Sequence, residues 1–143
     1  MKPIAILSFL AATGCAAVVP IGPAGPDPSP TIIGEGETPT NEIIVFRPAE
    51  VGFITNVGTS PAILLGERSL GTCRIGAPII IRVPAGDWTV TALTQSGQVS
   101  EVVSVGEGDT KHLRCGTESL PSLTSAPTLE PVGADIASRE AGL

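Results

Sequence analysis

The sequence is poor in the side chains that most often carry out catalysis. Its 143 residues include one His, one Trp, three Phe and no Tyr. With one His, no G-x-S-x-G turn and no Cys beside an activating base, the chain lacks the parts for nucleophilic catalysis. We therefore expect a protein that is not an enzyme and that needs no cofactor.

Positive charge and long apolar runs are scarce as well. The chain has 8 Lys and Arg against 14 Asp and Glu, a formal net charge of -6. Such an acidic surface repels phosphate backbones, which argues against nucleic acid as a partner. The apolar run from Ile4 to Ala12 is shorter than the roughly 20 residues that span a bilayer. Because it follows Met1-Lys2, it predicts the core of an export signal.

The end of this run contains small residues followed by a cysteine. Ala12-Thr13-Gly14-Cys15 resembles the lipobox of bacterial lipoproteins, with Ala12 at the position where Leu is usual. The resemblance implies a signal peptide over 1–14 and acylation of Cys15, which would anchor the chain in a membrane. Ala16, in place of Asp, resembles the enterobacterial pattern for the periplasmic face of the outer membrane. The alternative is a plain secretory signal that is cleaved nearby.

Residues 15–40 are expected to form a disordered tether. The stretch from Val18 to Thr40 holds six Pro and four Gly and has almost no hydrophobic periodicity. A segment of this composition stays extended and cannot bury a core. Ile32-Ile33 could be a contact point, but the pattern favours a solvated linker.

Residues 41–117 predict an all-β domain, a small antiparallel β-sandwich of about seven strands. Short β-branched runs alternate with turn residues about every 8 to 12 positions, as in sandwiches. The clearest signal is the apolar run Ile79–Val83, the turn Pro84-Ala85-Gly86 and an alternating run from Trp88 to Ala92, which together predict a hairpin. Ile43–Phe46 is expected to be an edge strand of the sandwich. We expect this edge either to be covered by residues 124–131 or to be the surface on which another envelope protein docks.

Residues 118–143 are expected to form a partly ordered C-terminal tail. Thr128-Leu129-Glu130-Pro131 can add an edge strand, where Pro is tolerated. Ala134 to Ala141 can form one or two turns of helix.

Several short motifs carry a family resemblance. EIIVFRP, LLGERSLGT, the Pro-Ala-Gly turn before Trp-Thr-Val, and SVGEGDTKHLR occur in that order over residues 41–116. The chain thereby resembles the bacterial lipoproteins catalogued as domain of unknown function twenty-eight forty-six, and more distantly PEGA-type surface domains. The resemblance implies a small β domain and supplies no catalytic residue.

Cys73 and Cys115 are the candidates for a disulfide. Once Cys15 is committed to lipid, two cysteines remain in an exported chain, an even number in an oxidising compartment. Two free buried thiols are one alternative. A metal site with His112 is another, but residues three apart on a strand point to opposite faces and a fourth ligand is missing, so we expect no metal.

The remaining candidates have structural explanations. Glu107 and Asp109 occupy a Gly-rich turn without the calcium-loop pattern, which favours a solvated turn. Phe46, Phe53 and Trp88 could stack sugars, yet a domain with so few aromatics needs them in its core.

The sequence as a whole predicts a lipid-anchored cell-envelope protein with a non-enzymatic structural or protein-interaction domain. The alternative is a module that binds an envelope glycan or a small ligand. A buried indole at Trp88 would remove the best sugar platform.

Overall fold

Two β-sheets packed face to face make up most of the structure, which confirms the predicted small all-β sandwich. The structure is a computed structural model that describes residues 30–34, 36–49, 60–118 and 126–143. Its strands are β1 (Thr31–Ile32), β2 (Asn41–Phe46), β3 (Ala62–Leu65), β4 (Arg68–Thr72), β5 (Ile79–Val83), β6 (Gly86–Thr94), β7 (Gly97–Val105), β8 (Thr110–Thr117) and β9 (Pro127–Val132). One helix, α1 (Ala134–Ala141), follows β9. The predicted signal peptide, Cys15 and Phe53 lie outside the described residues.

The two sheets differ in strand direction. One has five strands in the order β1-β5-β2-β8-β9, and the other has four in the order β4-β3-β6-β7. The four-stranded sheet is antiparallel throughout. The five-stranded sheet is mixed, because β1 runs parallel to β5 and β2 runs parallel to β8. The described part of the domain expected over residues 41–117 holds seven strands, β2 to β8, as predicted, but its strands are not all antiparallel because β2 and β8 run parallel.

Period-two alternation along the strands builds the core between the sheets. From the five-stranded sheet, Ile43, Ile81 and Leu113 are fully buried. From the four-stranded sheet, Ile63 and Val90 are also 0% exposed. Because successive strand residues point to opposite faces, these positions share the inner faces of the two sheets.

The predicted hairpin between the fifth and sixth strands is wrong. β5 pairs with β1 and β2, whereas β6 pairs with β3 and β7, so the chain crosses from one sheet to the other at Pro84-Ala85. Side chains satisfy the carbonyls at this crossing: Asn41 Nδ2 donates to Val83 O at 3.0 Å and Trp88 Nε1 donates to Pro84 O at 2.9 Å. Turn residues mark a reversal of the chain but do not distinguish a hairpin from a crossing between sheets.

The predicted edge at Ile43–Phe46 is also wrong. β2 lies inside the five-stranded sheet between β5 and β8, and the tail strand β9 pairs with β8 instead. Both faces of β2 are covered, since Ile44 is 9% and Phe46 2% exposed on the face opposite the core. An uncharged run that is buried on both faces is typical of a central strand, which explains the absence of protective charge.

The folded region begins before the position that composition suggests. The tether was expected to extend to residue 40, but Thr31 and Ile32 pair with Ile81 and Arg82 of β5. The Ile33 N–H then donates to Arg82 O at 2.8 Å, and the Ile33 side chain packs against the core. A two-residue strand among prolines is too short to produce a periodic signal.

The C-terminal tail packs on the five-stranded sheet. β9 is an edge strand containing Pro131, and α1 follows it and contacts β8. Arg114 on β8 donates to Glu130 of β9 at 2.6 Å and to Glu140 of α1 at 2.9 Å. Gly142, at φ 70°, ends the helix, and its N–H donates to Ser138 O at 3.0 Å. The described part of the chain contains no helix with the length and apolar character needed to cross a bilayer.

Candidate functional site

The predicted disulfide is present and joins the two sheets. Cys73 directly follows β4 of the four-stranded sheet, and Cys115 lies in β8 of the five-stranded sheet. Their Cα atoms are 6.3 Å apart, within the range that a disulfide bridges. The residues are 2% and 1% exposed, respectively. The disulfide is therefore a buried covalent link across the core. Because both sulfur atoms are in this bond, the two alternatives for these cysteines, free thiols and a metal site with His112, are excluded.

His112 lies apart from this bridge, at a shallow surface depression. The depression has a volume of about 190 Å³ and lies between β7 and the strands β8 and β9. Glu101 and Lys111 line it together with His112. Partial burial of His112 lowers the pKa of its imidazole, which keeps the ring neutral near pH 7. Within the described ranges, no three His, Cys, Asp or Glu side chains converge as metal ligands would.

The acidic turn before β8 is held by hydrogen bonds and an ion pair, which also connect it to β2. Asp109 Oδ2 accepts a hydrogen bond from the Gly106 N–H at 3.0 Å and forms an ion pair with Lys111 Nζ at 3.0 Å. The Gly106 N–H, and then Lys111, lower the pKa of this carboxyl group. Asn41 Oδ1 accepts from the Gly108 N–H at 2.6 Å, which ties the turn to the start of β2. These contacts give the Asp109 carboxylate and the Gly106 and Gly108 N–H groups structural partners within the protein.

A second depression lies beside the disulfide, on the side of α1. It has a volume of about 230 Å³ and is lined by Arg47, Arg114 and Thr128, among others. Arg47 is 2% exposed, and its guanidinium donates to Cys73 O at 3.4 Å. Burial lowers the pKa of Arg47. The hydrogen bond from Arg114 to Glu130 raises the pKa of Arg114, so this second arginine is engaged in holding the tail.

The described aromatic side chains serve packing. Phe46 is 2% exposed. Trp88 is half-buried, packs against the core and uses its indole N–H at the crossing between the sheets. Because the indole is half-buried and not fully buried, the structure does not remove Trp88 as a platform for a sugar ring.

The chain matches no protein-family model, no curated protein and no solved structure. The resemblance to the lipoprotein family and to PEGA-type domains therefore stays a prediction.

The sequence analysis missed one edge of the sandwich. β7 lies at the end of the four-stranded sheet, where it pairs with β6 and with no other described strand. Its residues alternate so that Val99, Val103 and Val105 face the core, with Glu101 among them on the same side of the strand. The alternation could be read from the sequence, but the position of β7 at an edge follows only from the order of the strands.

Proposed function

We propose that the chain is an exported protein held in the bacterial cell envelope by lipid on Cys15, at the periplasmic face of the outer membrane. In this proposal the β-sandwich is a non-enzymatic structural or protein-interaction module. The observation that supports it most is the buried disulfide between Cys73 and Cys115. Structural disulfides persist in oxidising compartments outside the cytosol, so the bridge favours export.

The disulfide also sharpens the assignment of the third cysteine. The chain has three cysteines, and two of them are paired with each other. Cys15 remains, and it directly follows Ala12-Thr13-Gly14 at the end of the apolar run. Several acyl chains on this residue would give stable anchoring, whereas one chain alone binds a membrane only marginally.

Among the described residues, neither of the two depressions has the size of a typical ligand pocket. The two depressions, of about 190 and 230 Å³, are smaller than the roughly 300–1,000 Å³ of typical ligand pockets. Both depressions are lined by residues that already form structural contacts. Lys111 in the first forms an ion pair with Asp109, and Arg114 in the second forms ion pairs with the C-terminal tail. A sheet edge or face therefore has more to offer a partner than either depression does.

Metabolic labelling with a fatty-acid analogue tests the anchor. The unaltered chain should incorporate the label and fractionate with membranes. Cys15→Ser should abolish labelling and either release the protein or trap its precursor. The matched control is the double variant Cys73→Ser with Cys115→Ser, which keeps Cys15 and should keep the label. Incorporation into the Cys15→Ser variant at the unaltered level would show that the lipid anchor is wrong.

A further inference from the structure

Among the edge strands of the described residues, β7 is the longest and the most regular, and one inward-facing charge, Glu101, is the protection that it carries. An edge strand exposes unpaired N–H and C=O groups, and proteins blunt it with prolines, bulges, charges or short length. β1 has only two residues. β4 has a register shift against β3 and carries Arg68. β9 contains Pro127 and Pro131, which have no N–H to donate. β7 has nine residues, no Pro and no irregularity in its pairing with β6.

The side chains of β7 are suited to another strand. Its sequence is GQVSEVVSV, which is rich in Val and Ser and contains a single charged residue, Glu101. Val102 lies on the outer face and is 66% exposed, more than the other exposed large hydrophobic residues among those described. A strand paired beside Val102 would remove part of this apolar surface from water.

We propose that β7 pairs with β7 of a second copy of the chain, antiparallel and centred on Val102. This step deepens the proposed function, because it names the partner of the interaction module. In that register Val102 faces Val102 of the second copy, Ser100 faces Ser104, and Val99 faces Val105. Each Glu101 faces Val103, so the only charges on the two strands are not directly opposed.

The alternative register centred on Glu101 would place two carboxylates opposite each other, which destabilises a strand pair. Centring on Val102 avoids this repulsion and puts two β-branched side chains together at the symmetry axis. Inner-facing residues then pair with inner-facing residues, so the two four-stranded sheets join into one continuous sheet. The self-complementarity of β7 in this register is the reason for choosing a second copy as the partner.

Cysteine crosslinking of the full chain in a bacterial envelope tests the register. Residues directly opposed across antiparallel strands have Cα atoms about 4.5–5.5 Å apart, a distance that a disulfide can bridge. Val102→Cys should therefore give a covalent homodimer under mild oxidation. Thr89→Cys is the matched control: Thr89 is exposed on the same sheet face and pairs with Val102, but one strand further from the axis. It should remain monomeric.

A charge placed at the axis gives an independent measurement. In Val102→Lys, two ammonium groups would face each other in the dimer, whereas the exposed position tolerates Lys in the monomer. We expect the dissociation constant of the full chain in detergent, measured by analytical ultracentrifugation, to rise at least about fivefold. Thr89→Lys should leave the constant within about twofold of the unaltered value, since the residue lies away from the axis.

Crosslinking through residue 102 but not 89, together with weakening by Val102→Lys, supports the dimer. Equal crosslinking at both positions, crosslinking at neither, or a Val102→Cys adduct only to a different protein would overturn it. The crosslinking test and the lipid-anchor test can fail independently of each other. Loss of fatty-acid labelling with an intact Val102 crosslink contradicts only the anchor, and full labelling without the crosslink contradicts only the dimer.

Discussion

Cys73 and Cys115 connect the four-stranded sheet to the five-stranded sheet at one point in the core. They are 42 positions apart in the chain, and the chain-entropy model gives about 4 kcal/mol for closing a loop of that length. Replacing both cysteines with Ala should lower the free energy of unfolding by about that amount. Denaturant unfolding in a Cys15→Ser background measures it, with the Cys15→Ser chain as the control. A loss below about 1 kcal/mol would contradict the structural role of the bridge.

His112 gives the stability a defined pH dependence. Burial lowers the pKa of His112 in the folded state below its unfolded value of 6.5, so the unfolded chain takes up the proton more readily. The stabilising contribution is complete above pH 6.5 and is lost as pH falls through the lower, folded pKa. Because the chain has one His, His112→Gln should reduce the loss of stability between about pH 7.5 and pH 5. Urea unfolding at both values checks this, and an unchanged pH dependence would count against it.

Arg114 controls the attachment of the tail. Its guanidinium holds Glu130 at 2.6 Å and Glu140 at 2.9 Å, so it bridges β9 and α1. Arg114→Gln should cost about 1 kcal/mol and speed amide hydrogen exchange throughout α1. Arg139→Gln is the control, because among the described residues the ion pair of Arg139 is the long one to Asp135, at 3.9 Å, and both side chains are largely exposed. Similar exchange in the two variants would contradict the proposed bridge.

At the scale of the elements, β1 is the unexpected start of the folded region. Ile32 and Ile33 are neighbours of the same type, but Ile32 is 47% exposed while Ile33 packs against the core. Ile33→Ala should lower the free energy of unfolding by about 1–2 kcal/mol through lost burial. Ile32→Ala should change it by less than about 0.5 kcal/mol. If the two variants have equal thermal midpoints, β1 does not contribute to the domain as described.

Local pattern predicted most strands but not their neighbours. Runs such as Ile79–Val83 and Ile43–Phe46 were recognisable because their β-branched residues lie next to turn residues. The pairing was not recognisable, since a reversal at Pro84-Ala85 fits a hairpin and a sheet crossing equally well. The uncharged run Ile43–Phe46 fits an undefended edge as well as a central strand. Neighbours depend on contacts distant in the chain, which composition and period do not encode.

Some features of the candidate site could be predicted from the sequence, and others could not. The disulfide was predictable because the number of cysteines and the predicted export signal together leave Cys73 and Cys115 to pair with each other. Arg47 was not predictable: nothing in EIIVFRP indicates that this arginine becomes 2% exposed beside the bridge. The exposed β7 edge was missed for the same reason, since only the order of the strands places it at the end of a sheet.

At the scale of the whole molecule, the protein is an acidic chain whose disulfide-linked sandwich follows a Pro-rich N-terminal segment. The disulfide and the proposed lipid on Cys15 would assign all three cysteines of the chain. Lipid attachment to Cys15 requires export, and the disulfide favours it, because stable disulfides form mostly outside the cytosol.

Intact mass spectrometry of the protein extracted from membranes, before and after reduction, tests this claim most directly. We expect a chain that begins at Cys15 and carries the added mass of its acyl groups. We also expect Cys73 and Cys115 to become alkylated only after a reductant is added. A chain that begins at Met1 or carries no acyl mass, with both cysteines alkylated in the absence of reductant, would contradict the assignment of the three cysteines.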